Sequence, residues 1–493
     1  MRKYIKIHPA DKVAVALCPL DKGTEIIIGE ERIILSENIP QGHKFALQNM
    51  DTREEVIKYG HPIGVTILPV KAGEWVHVHN MKTALGEAGF YVYDRKEEAY
   101  PLSERRYFQG YRRVDGKVGV RNDIWIIPTV GCVNGVASVI ECRASVLARG
   151  SVDAIAAFLH PYGCSQMGGD QENTRQILAD LINHPNAGGV LVLGLGCENS
   201  NIGELKKYIG YYDKNRVKFL NVQDVENEIE EALTLLEGLI DYASGMKREL
   251  IPLRELIVGL KCGGSDGLSG ITANPAVGIC SDLLIAQGGT SILTEIPEMF
   301  GAETILMNRC RSRKLFQKTV TMVNDFKEYF MKHDQVIYEN PSPGNKAGGI
   351  STLEDKSLGC VQKSGSAPVC GVLSYGEVVK EKGLNLLSAP GNDLVASTAL
   401  AASGAHVVLF TTGRGTPFAS PVPTVKISSN SKLARKKNHW IDFDCGAVID
   451  GADPGTVGSQ LFDYVIAVAS GEKVKSERMG VRDMAIFKQG VTL

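Results

Sequence analysis

The run GGVLVLGLGC, residues 188–197, decides the fold, because it is a continuous apolar segment that ends in glycine and cysteine. The runs IWIIPTVGC (124–132), AIAAFLHPYGC (154–164) and LIVGLKCGG (256–264) end in the same way. Helical patterns lie between them, such as NTRQILADLINH (173–184) and VENEIEEALTLLEGLIDYA (225–243). Apolar strands that alternate with helices predict an α/β fold with mostly parallel sheets covered on both faces.

The rest of the chain divides around these segments. Residues 1–92 contain short β-rich runs such as TEIIIG and ERIILS, separated by glycine turns, and we predict a small all-β module there. Residues 93–121 are charged and aromatic without a clear period, which indicates a linker that crosses a surface. Residues 122–246 and 247–493 are then two α/β parts, the middle and C-terminal domains.

Composition narrows the classes of partner. The formal net charge of −2 makes nucleic acid an unexpected partner, because proteins that bind nucleic acid usually carry a basic surface. No apolar run approaches the roughly 18 residues that a membrane helix needs, and the N-terminus lacks the pattern of a signal peptide, so we expect a cytoplasmic protein without a membrane partner. The eleven cysteines include no C-x-x-C pair, and we interpret them as thiols, metal ligands or core residues.

Four predicted strands each end near a cysteine: Cys132, Cys164, Cys197 and Cys262. In open α/β sheets, ligands bind beyond the carboxyl ends of the strands. A buried cysteine is often a small apolar core residue, which is one interpretation of each. Because polar residues follow all four, a cluster of soft ligands for iron is the other interpretation.

Two further segments carry groups that suit an anionic substrate and a cation. CGGSDGLSGITANP (262–275) has glycines that permit close backbone approach to an anion. LTEIPEMFGAE (293–303) places Glu295 and Glu298 after a short apolar run, where they can join Asp266 around a divalent cation. Solvated glutamates are the alternative interpretation.

The β-module contributes histidines. VHVHN (76–80) predicts a strand with His77 and His79 on one face, and His43 stands beside Lys44. Clustered histidines indicate a metal or substrate site, unless they form a partly exposed polar strand face.

The segment NPSPGNKAGGISTLEDKSLGC (340–360) has no helical or strand period over its length. We predict a glycine-rich loop that closes over a polyhydroxylated anion and excludes water. The sequence contains neither a G-x-G-x-x-G dinucleotide fingerprint nor a P-loop, so neither a nicotinamide nor a nucleotide site is expected.

Taken together, these motifs resemble the altronate/galactarate dehydratase family. The resemblance implies an SAF or β-clip-like first module, a dimerising middle domain and a Rossmann-like, metal-bearing last domain. It also implies a homodimer that needs Fe²⁺, or Mn²⁺ or another divalent cation, and that converts D-altronate to 2-dehydro-3-deoxy-D-gluconate and water. Galactarate or another sugar acid is an alternative substrate, an iron–sulfur dehydratase an alternative mechanism, and a non-catalytic sugar-acid binding protein an alternative class.

Within this hypothesis, we assign roles from the chemistry of the side chains. A base must remove the proton beside the carboxylate, an acid must protonate the leaving hydroxyl, and a cation must stabilise the enolate. His160 is a candidate acid or base, and Lys346 or Lys356 either acts as the base or holds the substrate carboxylate. The candidate metal ligands are Asp266, Glu295, Glu298, Cys164 and Cys360. The candidate substrate-binding residues are His43, Lys44, His79, Ser265, Asn274, Asn345 and Arg414.

Overall fold

The N-terminal module is built only of short antiparallel strands. A four-stranded sheet in the order β1-β2-β5-β8 packs with a β3-β4 hairpin and a β6-β7-β9 sheet. This computed structural model describes residues 2–86, 91–95, 105–148, 150–338, 340–490 and 493. The strands are β1 (Tyr4–Ile5), β2 (Val13–Ala16), β3 (Glu25–Ile28), β4 (Glu31–Ile34), β5 (Lys44–Ala46), β6 (Glu55–Lys58), β7 (His61–Thr66), β8 (Trp75–Val76) and β9 (Met81–Lys82).

The predicted linker is in part a sheet. Strands β10 (Tyr107–Arg112) and β11 (Val118–Gly119) pair with each other, and β10 also pairs with β16 (Glu249–Pro252). The interpretation of residues 93–121 as an irregular linker was therefore wrong for this part, since β10 buries Phe108 between exposed neighbours. Tyr93 docks on the C-terminal domain as its aromatic character suggested, because its hydroxyl donates to the Cys310 carbonyl. Residues 96–104 of the predicted linker lie outside the described residues.

The middle domain is a four-stranded parallel sheet in the order β13-β12-β14-β15. Every residue of β12 and β14 is buried, which explains the continuous apolar runs of the sequence. The elements are β12 (Asp123–Pro128), α1 (Asn134–Ala144), β13 (Ile155–Ala157), α2 (Gly168–Ile182), β14 (Ala187–Gly194), α3 (Ile202–Ile209), β15 (Val217–Asn221) and α4 (Glu228–Ser244).

The C-terminal domain holds a seven-stranded parallel sheet in the order β19-β20-β18-β17-β21-β22-β23. The α/β prediction is thus confirmed. The strands are β17 (Ile257–Cys262), β18 (Thr290–Leu293), β19 (Val369–Leu373), β20 (Gly383–Leu387), β21 (Val407–Thr412), β22 (Thr424–Ser428) and β23 (Phe443–Asp444). The helices are α5 (Ala273–Ala286), α6 (Glu303–Met307), α7 (Arg313–Lys332), α8 (Pro343–Ala347), α9 (Leu353–Val361), α10 (Asp393–Ala402), α11 (Ser431–Lys436), α12 (Pro454–Ala469) and α13 (Lys475–Arg478).

The segment 340–360 contains two short helices rather than one loop. Ser342 caps α8 and Thr352 caps α9 through their side chains. The prediction of an open glycine loop over the whole segment was therefore wrong, because α9 is buried at every position. Among the described residues, we find no helix that combines the length and apolar character needed to cross a bilayer.

Candidate metal centre

The C-terminal sheet has a topological switch point beside β17. From β17 the chain moves to β18 on one side and later returns to the other side as β21. Ligands of open α/β sheets bind in the crevice at such a point, beyond the carboxyl ends of the strands. The last residue of β17 is Cys262, so its side chain stands at the position where the fold predicts a ligand.

Cys262 meets two residues from distant parts of the chain. The Cys262 thiol lies 3.1 Å from Oε2 of Glu298 and 3.4 Å from the sulfur of Cys360. The Cys360 thiol lies 3.3 Å from the same Oε2. All three ligand atoms fall within 4.8 Å of one another, and the three side chains are buried. Among the described residues this is the only group of histidine, cysteine and acidic side chains that is this compact.

Helix α9 supplies one thiol and one ammonium group to this site. Lys356 and Cys360 are four residues apart and therefore share one face of the helix. Lys356 Nζ donates to Oε1 of Glu298 at 2.7 Å and to Oδ1 of Asn340 at 3.0 Å. The helix begins here because Thr352 accepts a hydrogen bond from the Asp355 backbone and acidic residues occupy the first turn.

Two more buried lysines surround Glu295, next to the group. Lys261 Nζ contacts Oε1 of Glu295 and lies 2.9 Å from Oδ1 of Asp393. Lys363 Nζ lies 3.7 Å from the other Glu295 oxygen, which also accepts from the Cys262 backbone at 3.0 Å. Glu295 adopts a left-handed backbone with φ of 71°, a strained conformation for a non-glycine residue. Glu295 therefore holds the lysines in place and is not one of the three convergent ligand atoms.

The charges set the protonation states. Burial alone would raise the pKa of Glu298, but the ammonium of Lys356 and its lysine neighbours outweigh burial and lower it. Burial likewise opposes the charge of Lys356, yet Glu298 raises the pKa of this lysine. The hydrogen bond with Cys360, together with burial, raises the pKa of Cys262 well above its ordinary value. The site thus presents a carboxylate, neutral thiol at Cys262 and a lysine that stays protonated at neutral pH.

This donor set fits a divalent cation. Two thiols and one carboxylate match the borderline transition metals, and three protein ligands leave coordination positions open for substrate or water. When a cation of charge +2 replaces the two thiol protons, the net charge of the buried site is unchanged. The neighbouring lysines then still balance the carboxylates of Glu295, Glu298 and Asp393.

The β-module covers α9 through a buried ion triad. Lys44 Nζ lies 2.8 Å from one oxygen of Asp355, and Lys58 Nζ lies 2.9 Å from the other. Burial would raise the pKa of Asp355, but the two ammonium groups hold it below its ordinary value. Lys44 is therefore an anchor of the module on α9, and its donors are used by Asp355, Ser351 and Gly349.

The histidines of the module form an aromatic cluster around Trp75 beside this triad. Trp75 donates to Nδ1 of His43 at 3.2 Å and stacks on His77. Nδ1 of His77 lies 2.7 Å from the Ser351 hydroxyl, and burial lowers the pKa of His77 to about 4. His79 is exposed and tilts against the same indole ring. The predicted strand was wrong at this point, because β8 ends at Val76, before the histidines.

Only a small cavity separates the module from the group. It holds about 10 Å³ and is lined by Lys58, Tyr59, Asp355, Lys356 and Cys360, among others. That volume suits about one water molecule, and not a six-carbon acid. Ser265 also lines it, and its buried hydroxyl has no hydrogen-bond partner among the described residues.

Several predicted residues have structural contacts instead. Asp266 lies outside the compact group, because its carboxylate accepts hydrogen bonds from Ser269, Ser429 and Asn430. The amide of Asn274 bridges Gly359 and Thr411, and that of Asn345 bridges Ser342 and Ser265. Asp266 thus shapes the turn after β17, and its role as a metal ligand stays a prediction.

Lys346 and Arg414 lie on the outer side of the same turn. Lys346 is partly exposed on α8, and the guanidinium of exposed Arg414 donates to the carbonyl of Gly344 in that helix. Neither side chain is buried with the thiol and carboxylate group.

Two further predicted residues, His160 and Cys164, lie in the middle domain and outside the compact group. His160 is buried, with Nε2 2.8 Å from the Pro128 carbonyl, and burial lowers its pKa to about 4. Cys164 is exposed and lies 3.3 Å from Oδ1 of Asn199. Both side chains lie in the loop that follows β13, and their candidate roles in the reaction stay predictions.

Sequence reasoning grouped Cys262 with three other strand-end cysteines as candidate iron ligands, and it missed Lys261 and Lys363 as members of the site. Cys262 had a usable signal, because it ends the strand at the switch point. The lysines had none, since nothing local in a sequence predicts that a strand lysine is buried against a distant carboxylate.

Comparisons with known proteins cover the whole architecture. The family model for the altronate/galactarate dehydratase SAF domain matches residues 2–84. The model for the second domain of D-galactarate dehydratase/altronate hydrolase matches residues 110–244, and that for the C-terminal part of D-galactarate/altronate dehydratase matches residues 253–492.

Three curated relatives match over almost their full length. The chain is 54% identical to the altronate dehydratase of Bacillus subtilis (strain 168) and 53% identical to that of Escherichia coli (strain K12), with 100% of both chains covered in each case. It is 33% identical to the galactarate dehydratase (L-threo-forming) of Escherichia coli (strain K12), over 98% of this chain and 96% of the relative.

Proposed function

Because this chain belongs to the altronate/galactarate dehydratase family, we propose that it removes water from D-altronate to give 2-dehydro-3-deoxy-D-gluconate. The full-length identity to two altronate dehydratases, higher than that to a galactarate dehydratase, supports altronate as the substrate. The observation that carries the chemistry is the meeting of Cys262, Glu298 and Cys360 at the switch point, with a protonated Lys356 beside them.

The three convergent side chains would hold a divalent cation, with ferrous iron as the first choice. When bound, such a cation supplies a positive charge that stabilises the enolate of a sugar acid. Iron accepts both thiolate and carboxylate ligands, which agrees with this donor set.

The substrate would reach the group at Glu298 and Lys356. Glu298 and Lys356 retain 5% and 7% exposure, whereas Lys261 and Glu295 are exposed by no more than 1%. Partly exposed Asn340 borders Lys356, and partly exposed Gly391 borders Glu298, so both neighbours of the group are accessible from solvent.

Lys356 would donate the proton that the departing 3-hydroxyl takes up. Its ammonium is kept charged by Glu298, and an acid in this position must be protonated at the start of the reaction. Asn340 orients the same ammonium through its side-chain oxygen, at 3.0 Å.

Asp393 would accept the proton from C2. Oδ1 of Asp393 accepts a hydrogen bond from Lys261, and the residue is partly exposed. Lys261 also donates to the carbonyl of Gly391, two residues before Asp393. An Asp393→Asn variant should then lose exchange of the C2 proton with deuterated water while it keeps its bound metal. Exchange at the wild-type rate would remove Asp393 from this role.

The deciding experiment is an anaerobic assay of the purified chain with ferrous iron and a thiol. With D-altronate, a 2-keto acid should form, with kcat/KM at least about tenfold above that for galactarate. Keto acid from galactarate alone would replace the substrate assignment. No keto acid from either substrate would overturn the proposed activity.

We also propose a homodimer in the cytoplasm. All eleven cysteines are free thiols, which agrees with a reducing compartment. Light scattering of the purified chain, which should give twice the 53.3 kDa mass, tests the dimer.

A further inference from the structure

Three exposed thiols lie in loops that follow neighbouring strands of the middle domain, and none of them belongs to the site described above. Cys132 follows β12, Cys164 follows β13 and Cys197 follows β14. These strands are neighbours in the sheet and run parallel, so their carboxyl ends lie side by side. Six of the other eight cysteines are buried. The three loops that follow these adjacent strands therefore differ from most of the chain in that each carries an exposed thiol.

Hydrogen bonds join the three loops into one surface. The Gly131 backbone donates to the Tyr162 carbonyl at 2.9 Å, which connects the loops of Cys132 and Cys164. The Ser200 backbone donates to the Gly163 carbonyl at 3.0 Å, which connects the loops of Cys164 and Cys197. The Cys164 sulfur also lies 3.3 Å from Oδ1 of Asn199, so the thiol itself faces the third loop.

The buried carboxylate of Glu198 holds the loop that carries Cys197 in place through hydrogen bonds. Glu198 accepts from the backbones of Leu195 and Gly196, at 3.1 and 2.7 Å, and from the hydroxyl of Thr129. Such a loop holds its thiol in place before any ligand binds, which lowers the ordering cost of binding.

Polar side chains already point at the sulfurs. Gln223 Nε2 donates to the Cys197 sulfur at 3.6 Å, and the Ser165 hydroxyl donates to the Cys164 sulfur at 3.9 Å. Donors of this kind stabilise thiolates and tune the potentials of iron–sulfur clusters.

A second, independent observation is a set of buried polar atoms without partners. Gln166 Nε2, with 7% exposure of the residue, and Ser200 Oγ, with 0%, lack a hydrogen-bond partner among the described residues. Both residues bind the backbone of Gly163: the Gln166 side-chain oxygen accepts from its N–H, and the Ser200 N–H donates to its carbonyl. Asn134 Oδ1, two residues after Cys132, is unpartnered in the same sense. Orphaned buried groups are rare in native proteins, and a bound group that completes them is one explanation.

We propose that Cys132, Cys164 and Cys197 ligate a [4Fe–4S] cluster whose fourth iron is left without a cysteine ligand. A single ion does not fit, because within the described residues only Cys262, Glu298 and Cys360 bring three ligand atoms within 4.8 Å of one another. In a cluster each thiolate binds a different iron, so more widely spaced thiols suffice.

The assembly balances without an outside oxidant. The cluster contains ferrous and ferric ions in equal number and one inorganic sulfide for each iron ion. Each of the three thiols releases one proton when its sulfur binds iron. The cluster is independent of the dehydration site, since no residue is shared between them.

The test is anaerobic reconstitution of the full chain with ferrous and ferric iron, a thiol and inorganic sulfide, followed by desalting. Acid-labile sulfide, iron content, visible absorption and the electron paramagnetic resonance signal after reduction are then measured. The wild type should retain labile sulfide and show the cluster signal. The triple variant Cys132→Ser, Cys164→Ser, Cys197→Ser should lose at least about 90% of the sulfide and keep iron at the other site.

Cys142→Ser is the matched control, because this exposed cysteine lies on α1 outside the three loops, and it should behave as the wild type. If the triple variant does not fold, each single variant must lower the retained sulfide. A wild type without labile sulfide, iron bound without sulfide, or variants with wild-type sulfide would overturn the proposal. Keto acid formation is read separately, so failure of the cluster and failure of the dehydratase assignment are distinguishable.

Discussion

Lys356 and Cys360 lie one turn apart on α9 and contact the two different oxygens of Glu298. The ammonium takes Oε1 at 2.7 Å, and the thiol lies 3.3 Å from Oε2. One carboxylate thus faces a permanent positive charge on one side and a pair of thiols on the other. The spacing on α9 places the ammonium of Lys356, which would face the substrate, beside the thiol of Cys360, which would bind a cation. Both side chains contact Glu298.

Replacement of Lys356 by glutamine should separate chemistry from metal binding. The variant lacks the ammonium that faces the substrate but keeps Cys262, Glu298 and Cys360. We expect kcat to fall by about 10²-fold or more, as for loss of a general acid, with the metal content unchanged from that of the wild type. Turnover at the wild-type rate would exclude Lys356 from the proton transfer.

Replacement of Glu298 by glutamine should release the metal. The amide cannot supply the negative charge that balances a cation here, and we expect affinity for the divalent cation to fall at least about tenfold, measured by competition with a chelator. Glu303→Gln is the matched control, since Glu303 is also a buried glutamate paired with a lysine, Lys327, outside the group. Equal metal content in the Glu298 variant and the control would contradict the ligand assignment.

Cobalt substitution reports on the two thiols directly. Cobalt(II) bound by thiolate has strong charge-transfer absorption, so the wild type should show this absorption and Cys262→Ser should weaken it. Cys280→Ser, a buried cysteine on α5, should leave the spectrum unchanged. Identical spectra for all three proteins would show that Cys262 is not a ligand.

Replacement of Asp355 by asparagine should destabilise the contact between the β-module and α9. The change leaves the ammonium groups of Lys44 and Lys58 buried without their common partner, which costs about 3–5 kcal/mol. Urea unfolding and limited proteolysis of the module measure the effect. Asp463→Asn breaks an exposed pair with Arg106 instead and should cost no more than about 1 kcal/mol. Similar losses in the two variants would show that the triad does not anchor the module.

The buried His160 makes the fold sensitive to acid. Burial lowers its pKa to about 4, whereas an unfolded histidine titrates near pH 6.5. Between these values the unfolded chain binds a proton that the folded chain does not, so stability falls as the pH drops. At pH 5 this amounts to about 2 kcal/mol for the one group. His160→Gln should reduce the slope of the unfolding free energy against pH, between pH 4 and 6.5, by the equivalent of about one proton. An unchanged slope would show that His160 does not cause the loss of stability in acid.

The sequence by itself determined the architecture. The apolar run 188–197 predicts a buried strand, and β14 occupies residues 188–194 of it; the glycine turns of the module predict the short strands that are found within residues 2–86. It also placed Cys262 and Glu298 near strand ends, because strand periods and turn signals act over a few residues. The β10 strand was missed, since one of its faces is exposed and its neighbours are charged.

The tertiary structure alone decided which of these side chains meet. Cys164 and Cys262 both follow apolar strands, yet they lie in different sheets, and only Cys262 ends the strand at the switch point. Cys360 reaches it because α9 is buried between the sheet and the β-module, with Asp355 held by lysines of that module. Strand order and helix docking are fixed by contacts between residues hundreds of positions apart, and no local pattern in a single sequence encodes them.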